Sequence, residues 1–404
     1  MSILVQKYGG SSVATPEKIR AVARRIVLAR EHYERVVVVV SAMGKTTDEL
    51  LGLARQLSEE PSPRELDMLI ATGEQQSSAL LVMALQEIGC PAISLTGAQS
   101  GIVSSGVHTK AEILNIDPTR LVGELDQGKV VVVAGFQGVN GNNDITTLGR
   151  GGSDVSAVAL AVALGAPVCE IYTDVEGVYT ADPRLVAKAR LLAEISYEEM
   201  QELANLGAQV LHPRSIEFAR KFNIILHVRS SFSQNRGTLV KGAGDLEKKR
   251  VVSGVACDLN TAKAVILGVP DEPGVAQQVF LSLAQANINI DMIIQSMMRR
   301  DRNDIAFTVA EADLPQVIEI MERVAAKLGA EGVAHDAKVA KISIVGAGMI
   351  SHPGTAATMF GALGDAGINI EMISTSEIKI SCLIQEADAK RALEAIHERF
   401  HLDA

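Results

Sequence analysis

The chain has 404 residues, of which 47% are hydrophobic but only 3% aromatic, with no Trp and a formal net charge of −10. That length exceeds one compact core, so two or three domains filled mainly by Val, Ile, Leu and Ala are predicted. The acidic balance, with no basic run and no aromatic-plus-basic cluster, argues against a nucleic-acid partner, and no stretch reaches the ~20 apolar residues that span a bilayer.

Lys7 and two glycines interrupt the apolar start Ile3-Leu4-Val5, unlike a signal peptide, so a soluble cytoplasmic protein is predicted. Cys90, Cys169, Cys257 and Cys382 are dispersed without metal-type spacing and read as reduced core cysteines; no metal-ligating set is predicted.

In chain order, Ile3–Tyr8 reads as a strand, Gly9-Gly10-Ser11-Ser12 as a bare-backbone turn, and Pro16–Arg30 as a helix with Pro16 at its first position and Thr15 as cap. Lys7 thus falls at a strand's C-terminal end beside a glycine turn, where open α/β sheets bind ligands. The spacing is not that of a P-loop, since this lysine precedes the glycines; a solvated strand-end lysine is the alternative. Val36–Val40 is apolar on both faces, as in a buried parallel strand, and ends in the polar loop Ser41–Asp48. Pro63–Leu85 reads as a helix carrying Glu74, a carboxylate that is costly among small residues unless it meets a cation or an exposed face.

Residues 97–120 mix Gly, Ser, Thr and His and read as a flap or a long irregular connection. Val130–Ala134 is another apolar strand, followed by a polar run and then Gly149-Arg150-Gly151-Gly152-Ser153-Asp154. The segment Val155–Leu164 reads as a buried helix whose first turn Ser153 or Asp154 can cap. Its bare N-terminus suits an anion, and Arg150 offers a planar fork for a carboxylate or phosphate; a glycine turn with a capping residue is the plainer reading. Val168–Tyr172 is the next strand, and Thr173-Asp174 leads to the polar loop Gly177–Arg184, where Tyr179 suits a base and Arg184 a phosphate. Glu198–Leu206 reads as a helix and Ile224–Val228 as a strand. Strand and helix alternate, and polar residues gather after strands at Lys7, Ser41, Gly135 and Asp174, so the class is α/β: a mostly parallel sheet with helices on both faces.

After the linker-like Lys241–Gly254 the chain repeats itself. Pro273-Gly274, Phe280, Leu283, Ala286 and Ile288-Asn289-Ile290-Asp291-Met292-Ile293 recur eighty residues on as Pro353-Gly354, Phe360, Leu363, Ala366 and Ile368-Asn369-Ile370-Glu371-Met372-Ile373. Two α+β modules of the β-α-β-β-α-β kind are predicted, with second helices at Pro315–Leu328 and Asp388–Phe400. Gly346-Ala347-Gly348 is similar to a dinucleotide fingerprint but lacks its third glycine, since Ser351 stands there.

Lys7–Ser12, Gly149–Asp154, the Tyr172–Arg184 loop and the duplicated module occur together in this order, and the set resembles the aspartate kinase (aspartokinase) family over essentially the whole chain. The resemblance implies an amino-acid-kinase catalytic domain over 1–240, a linker over 241–254, and paired ACT-like, ferredoxin-like modules over 255–335 and 336–404. It implies ATP-dependent phosphorylation of the side-chain carboxylate of L-aspartate, the first step toward lysine, threonine, methionine and diaminopimelate. Lys7 and Asp154 are then the catalytic pair, with Asp154 orienting Lys7. Gly9, Gly10, Thr173, Asp174, Tyr179, Asp182 and Arg184 join Lys7 at the nucleotide. Ser41, Thr47, Glu74, Arg150, Gly151, Gly152 and Ser153 form the aspartate pocket, Glu74 facing the ammonium. Mg²⁺ is held mainly by the ATP. Some relatives place a lysine where this chain has Gln209, which leaves that position without an assigned role.

The reaction suits these residues. The acceptor carboxylate, of reference pKa ~3.9, is already ionised, so no general base is needed, and the task is to hold two anions together. By the same resemblance an effector pocket between modules takes Asp271, Ala276, Asn289, Ile290, Asp291 and Gln295 from one copy and Asn369, Ile370, Ser376 and Glu377 from the other, for lysine, threonine or both as feedback inhibitors. A turn role for Asp291 and Glu371 is the alternative. No Met lies between Met200 and Met292 to start a shorter subunit, so a homo-oligomer joined through the ACT-like modules is expected. The rival functions are a kinase of glutamate or acetylglutamate, and a sensor without catalysis.

Overall fold

The two valine runs lie side by side as the sixth and seventh of eight strands in the largest sheet, with Val37 opposite Val131 and Val40 opposite Ala134, and both are buried throughout. In this computed structural model, which describes residues 2–207, 210–244, 250–296 and 302–404, eight strands run in the order Glu194–Ser196, Thr238–Lys241, Ile225–Ser230, Val168–Thr173, Ile3–Tyr8, Arg35–Val40, Val130–Ala134 and Ala92–Leu95. Every neighbouring pair is parallel except Thr238–Lys241 with Ile225–Ser230. Strands apolar on both faces need cover on both sides. Helices Pro16–Arg30 and Pro63–Glu87 pack on one face, while Gly152–Ala163, buried through Ala161, lies against the same strands.

Helix Pro16–Arg30 starts as predicted, with Pro16 in its first turn and Lys18 N donating to Thr15 Oγ1 at 3.4 Å. Three local expectations are corrected. The Ser41–Asp48 segment is not all loop, because a helix begins at Thr46. Residues 97–120 are not one irregular connection: Ile102–Ser104 and Ile113–Ile116 are strands of a second, four-stranded sheet with Gln137–Val139 and Ile145–Thr147. Neither Ser153 nor Asp154 caps the Gly152 helix. Its N-cap is Gly151, at φ +69°, and no side chain caps it.

The chain forms two compact units, one of residues up to Val178 with Leu191–Gly244, the other of Tyr179–Arg190 with Asp245–Ala404. In the second, strands Ala262–Pro270, Ile293–Gln295, Arg302–Val309 and Gly332–Asp336 with helices Val275–Gln285 and Leu314–Leu328 make one β-α-β-β-α-β module. The other copy has strands Val339–Val345, Met372–Thr375 and Lys379–Gln385 and helices Thr355–Asp365 and Ala389–Arg399. Its fourth strand comes from upstream of the first copy: Gly254–Asp258 pairs antiparallel with Val339–Val345, Val255 opposite Ile344. The sequence division had counted 255–258 with the first copy. The pairing reflects Val255 and Cys257, which pack into the core around Ile342 and Ile344. Between the copies, Met292 of one meets Val339, Met372 and Leu383 of the other, and two ion pairs cross: Lys263 with Glu371, and Lys341 with Asp291.

Gly346 and Gly348 make no dinucleotide turn. A Cβ on Gly346 would fall 2.2 Å from Val251 O, and one on Gly348 2.3 Å from Arg250 O, so these glycines serve close backbone packing. The four cysteines are unbonded thiols, and burial pushes those of Cys257 and Cys382 up to about 12. No described helix is long and apolar enough to cross a membrane.

Candidate active site

The four strand ends singled out in the sequence come to one edge of the large sheet, because Val168–Thr173, Ile3–Tyr8, Arg35–Val40 and Val130–Ala134 are consecutive and parallel. Lys7 stands opposite Val39 and Ile171 in the register. Its Nζ lies 2.6 Å from Asp154 Oδ1, and both side chains are nearly enclosed, 12% and 11% exposed. Asp154 sits in the first turn of the Gly152 helix, where the backbone's positive end favours a carboxylate. A lysine so held cannot swing away, yet its ammonium retains protons to donate to an anion.

The turn before that helix is built from glycine by necessity. Gly149 and Gly151 both have positive φ, +75° and +69°, and a Cβ on Gly151 would fall 2.2 Å from the His212 ring. Gly135 packs as tightly, its added Cβ falling 2.8 Å from Ser153 Oγ. Phe136 N donates to Ser156 Oγ at 3.1 Å and fixes the helix against the Val130–Ala134 strand end. Arg150 is exposed and makes no hydrogen bond or ion pair to a described residue, so its fork is available to an anion.

Glu74 lies on helix Pro63–Glu87, only 4% exposed. Ala42 N donates to its Oε1 at 3.1 Å, while Oε2 is buried with no partner among the described residues. Burial is the main influence on this carboxyl and pushes it up to about 7, against the pull of the Ala42 N–H. The helix fits close to the Ser41–Gly44 loop, since Ser77 Oγ donates to Ser41 O at 2.7 Å and a Cβ on Gly73 would meet Ala42 Cβ at 2.8 Å. Thr47 falls in the first turn of helix Thr46–Leu57. A buried carboxyl with one oxygen unspent asks for a cation, and an amino acid's ammonium is one.

Of the residues assigned to the nucleotide, Lys7, Gly9, Gly10, Thr173 and Asp174 share this strand edge. Thr173 Oγ1 donates to Asp174 Oδ1 at 3.1 Å. The Gly9 N–H donates to Tyr172 O at 3.1 Å, tying the glycine turn to the neighbouring strand end. Tyr179, Asp182 and Arg184 fall in the segment grouped with the second unit. There the Asp182 carboxylate is engaged by Arg184 at 2.7 Å, which holds it below the usual carboxylate range. Gln209 lies outside the described residues.

Two neighbours of the glycine turn escaped the sequence reading. His212 caps helix Pro213–Phe222, Arg214 N donating to its Nδ1 at 3.3 Å, and burial holds its imidazole below the ordinary value. Arg214 donates to Leu148 O at 2.6 Å and Ala111 O at 3.3 Å. A His-Pro pair before a helical pattern is a usable cap signal, but only the fold shows that it faces Gly151.

In the second unit, Asp271 accepts from Asn303 Nδ2 at 2.9 Å, and Ala276 lies in the first turn of helix Val275–Gln285, capped by Gly274 at φ +92°. Asn289, Gln295, Asn369, Ser376 and Glu377 are exposed, Ile290 and Ile370 half-buried. Asp291 and Glu371 are more than turn residues, since each pairs with a lysine of the other copy.

The Amino acid kinase family profile matches residues 2–230, and the ACT domain profile matches 265–324 and 342–400. An aspartokinase of Mycolicibacterium smegmatis is 50% identical over 407 residues, covering 100% of this chain and 97% of its own. Among solved structures, E. coli aspartokinase III in complex with aspartate and ADP (R-state) is 26% identical with a TM-score of 0.81, over 99% of this chain and 100% of that one. The same enzyme in complex with lysine and aspartate (T-state) is 27% identical with a TM-score of 0.78, over 98% and 99%. Amino acid kinase fold, paired ACT domains and full-length identity together place this chain in the aspartokinase family.

Proposed function

We propose that the Lys7–Asp154 edge of the large sheet is where this aspartate kinase transfers the γ-phosphoryl group of ATP to the side-chain carboxylate of L-aspartate. The observation that carries the reading is the enclosed Lys7–Asp154 pair, 2.6 Å apart, at the first turn of a helix without a side-chain cap. Two anions must meet there. Lys7 neutralises charge on the transferring group, Asp154 fixes Lys7, and the helix end adds roughly half a positive charge. The aspartate nucleophile is ionised at neutral pH, so the site needs no base.

At the acceptor, Arg150 clamps a substrate carboxylate beside Gly151, Gly152 and Ser153, while Glu74 receives the α-ammonium on the oxygen that has no partner among the described residues. Ser41 and Thr47 line that pocket through the Ser41–Gly44 loop and the helix it starts. Thr173, Asp174 and Gly10 face the nucleotide. For Tyr179, Asp182 and Arg184 the nucleotide role rests on the resemblance. Mg²⁺ held mainly by the ATP phosphates would add positive charge there. The deciding experiment is ADP release that requires L-aspartate and ATP together and is not supported by L-glutamate or acetylglutamate.

For regulation, the reading is feedback by lysine, threonine or both at the ACT domains, in a homo-oligomer joined through them. It is supported by the duplicated module and by the complex of E. coli aspartokinase III with lysine and aspartate. Asp271, Ala276, Asn289, Ile290, Asp291 and Gln295, with Asn369, Ile370, Ser376 and Glu377, are the contacts. Titrating lysine and threonine, singly and together, while measuring activity and sedimentation tests both parts.

A further inference from the structure

We propose that Asp67 is a positioning residue for the aspartate half of the active site, anchoring the turn that carries Arg150. The inference rests on the active-site reading above. Asp67 is fully buried, at 0% exposure, on helix Pro63–Glu87. Thr109 N donates to its Oδ1 and Oδ2 at 3.1 and 3.0 Å, Thr147 Oγ1 donates to Oδ1, and His108 Nδ1 lies 2.8 Å from Oδ2. Every partner comes from the two segments that flank the glycine turn.

Thr147 is the last residue of the strand that leads into Leu148 and Gly149. Thr109 is held at φ +66°, a conformation its branched side chain disfavours, and its carbonyl oxygen lies where a Cβ on Gly149 would come within 3.1 Å. Ala111 N donates to Thr147 O at 2.9 Å, joining the two segments to each other. A strained residue persists only where its surroundings over-determine it, and here the buried Asp67 oxygens supply that constraint. Asp67 and Glu74 are seven residues apart, two helical turns, and so share a face. One helix face therefore fixes both sides of the aspartate pocket: Glu74 through Ala42 N, Asp67 through Thr109 and Thr147.

Replacing Asp67 by Asn keeps the shape but removes an acceptor, so at least one of the four donor contacts is lost. Misplacement of a substrate clamp by about 1 Å can cost up to about 100-fold. For D67N the expected result is an aspartate KM raised about tenfold or more with the ATP KM within about twofold of wild type. For H108A, which leaves the backbone contacts, the expected rise is about threefold or less. If D67N does not fold, judged by circular dichroism and a cooperative melt, T147V replaces it, with an expected aspartate KM rise of about threefold. An unchanged aspartate KM in the folded variant, or an equal rise in both KM values, overturns the proposal. R150A separates the two readings: if it leaves the aspartate KM unchanged, the active-site assignment itself has failed. If R150A raises it and D67N does not, only the role of Asp67 falls.

Discussion

Lys7 and Asp154 are joined by an enclosed ion pair at 2.6 Å that ties the end of the central strand to the first turn of the Gly152 helix. Both partners are held by regular elements and not by loops, so the ammonium is in place before substrates arrive. Such preorganisation is where electrostatic catalysis gains most.

Lys7→Met keeps an unbranched side chain, one atom shorter, and removes its charge. Turnover is expected to fall about 1,000-fold, the upper range for deleting one charge-stabilising donor. Asp154 would then be left without its partner, which costs about 3–5 kcal/mol for a buried charge. The double variant K7M/D154N is expected to recover part of that stability but none of the turnover. Steady-state kinetics and thermal unfolding of the three proteins check both statements; a K7M enzyme within tenfold of wild type would refute the role.

Glu74 makes stability and substrate binding depend on pH in opposite ways. Its carboxyl lies at about 7 in the folded chain against an ordinary 4.5. The folded state thus holds the proton more tightly than the unfolded one, and this contribution is full below about 4.5 and lost as pH rises to about 7. Linkage gives roughly 3 kcal/mol for the whole change. Unfolding of wild type and E74Q from pH 4.5 to 8 is expected to show this difference. Aspartate binding should run the other way, its KM falling as Glu74 ionises through pH 7, and E74Q should abolish that trend.

Gly151→Ala puts a methyl group where the His212 ring lies and asks Ala to adopt φ +69°. Strain of roughly 1–3 kcal/mol is expected, with a higher aspartate KM because the adjacent Arg150 shifts. Gly165→Ala is the control, since it shares a positive φ but meets nothing within 4 Å. It should lose stability without a change in aspartate KM.

Asp291→Asn removes one of the crossed lysine pairs between the ACT domains and a contact assigned to the effector. The lysine or threonine concentration for half-inhibition is expected to rise about tenfold, as for loss of one charge-assisted hydrogen bond. Inhibition curves at fixed substrate decide it, and an unshifted curve removes Asp291 from the pocket.

What the sequence showed plainly were features that one local pattern decides. Val36–Val40 and Val130–Ala134 read as doubly buried strands from β-branched composition and length, and the eighty-residue repeat is visible by inspection. The candidate site was assembled where residue type and position coincide, as with Lys7 at a strand end, which the structure sets against Asp154, and Arg150 among glycines. Asp67 was invisible, because a carboxylate early in a helix normally reads as a solvated one and its donors lie some forty and eighty residues away. The short strands Ile102–Ser104 and Ile113–Ile116 were missed because three or four residues carry too little alternation to register. The cap fell to Gly151 and not Ser153 or Asp154, since the strand-end lysine competes for Asp154 and the turn needs a left-handed residue that a β-carbon would obstruct.

The strand Gly254–Asp258 is synthesised before the whole first ACT domain yet completes the sheet of the second. The two copies are therefore interlocked by sequence order and cannot be excised like beads from a string. A recombinant fragment beginning after residue 258 strips the flank of Val339–Val345, a strand buried along its whole length, and leaves its backbone open to pair with another molecule. During translation Gly254–Asp258 must wait until Val339–Val345 has emerged, so this sheet cannot close while only the first ACT domain has been made.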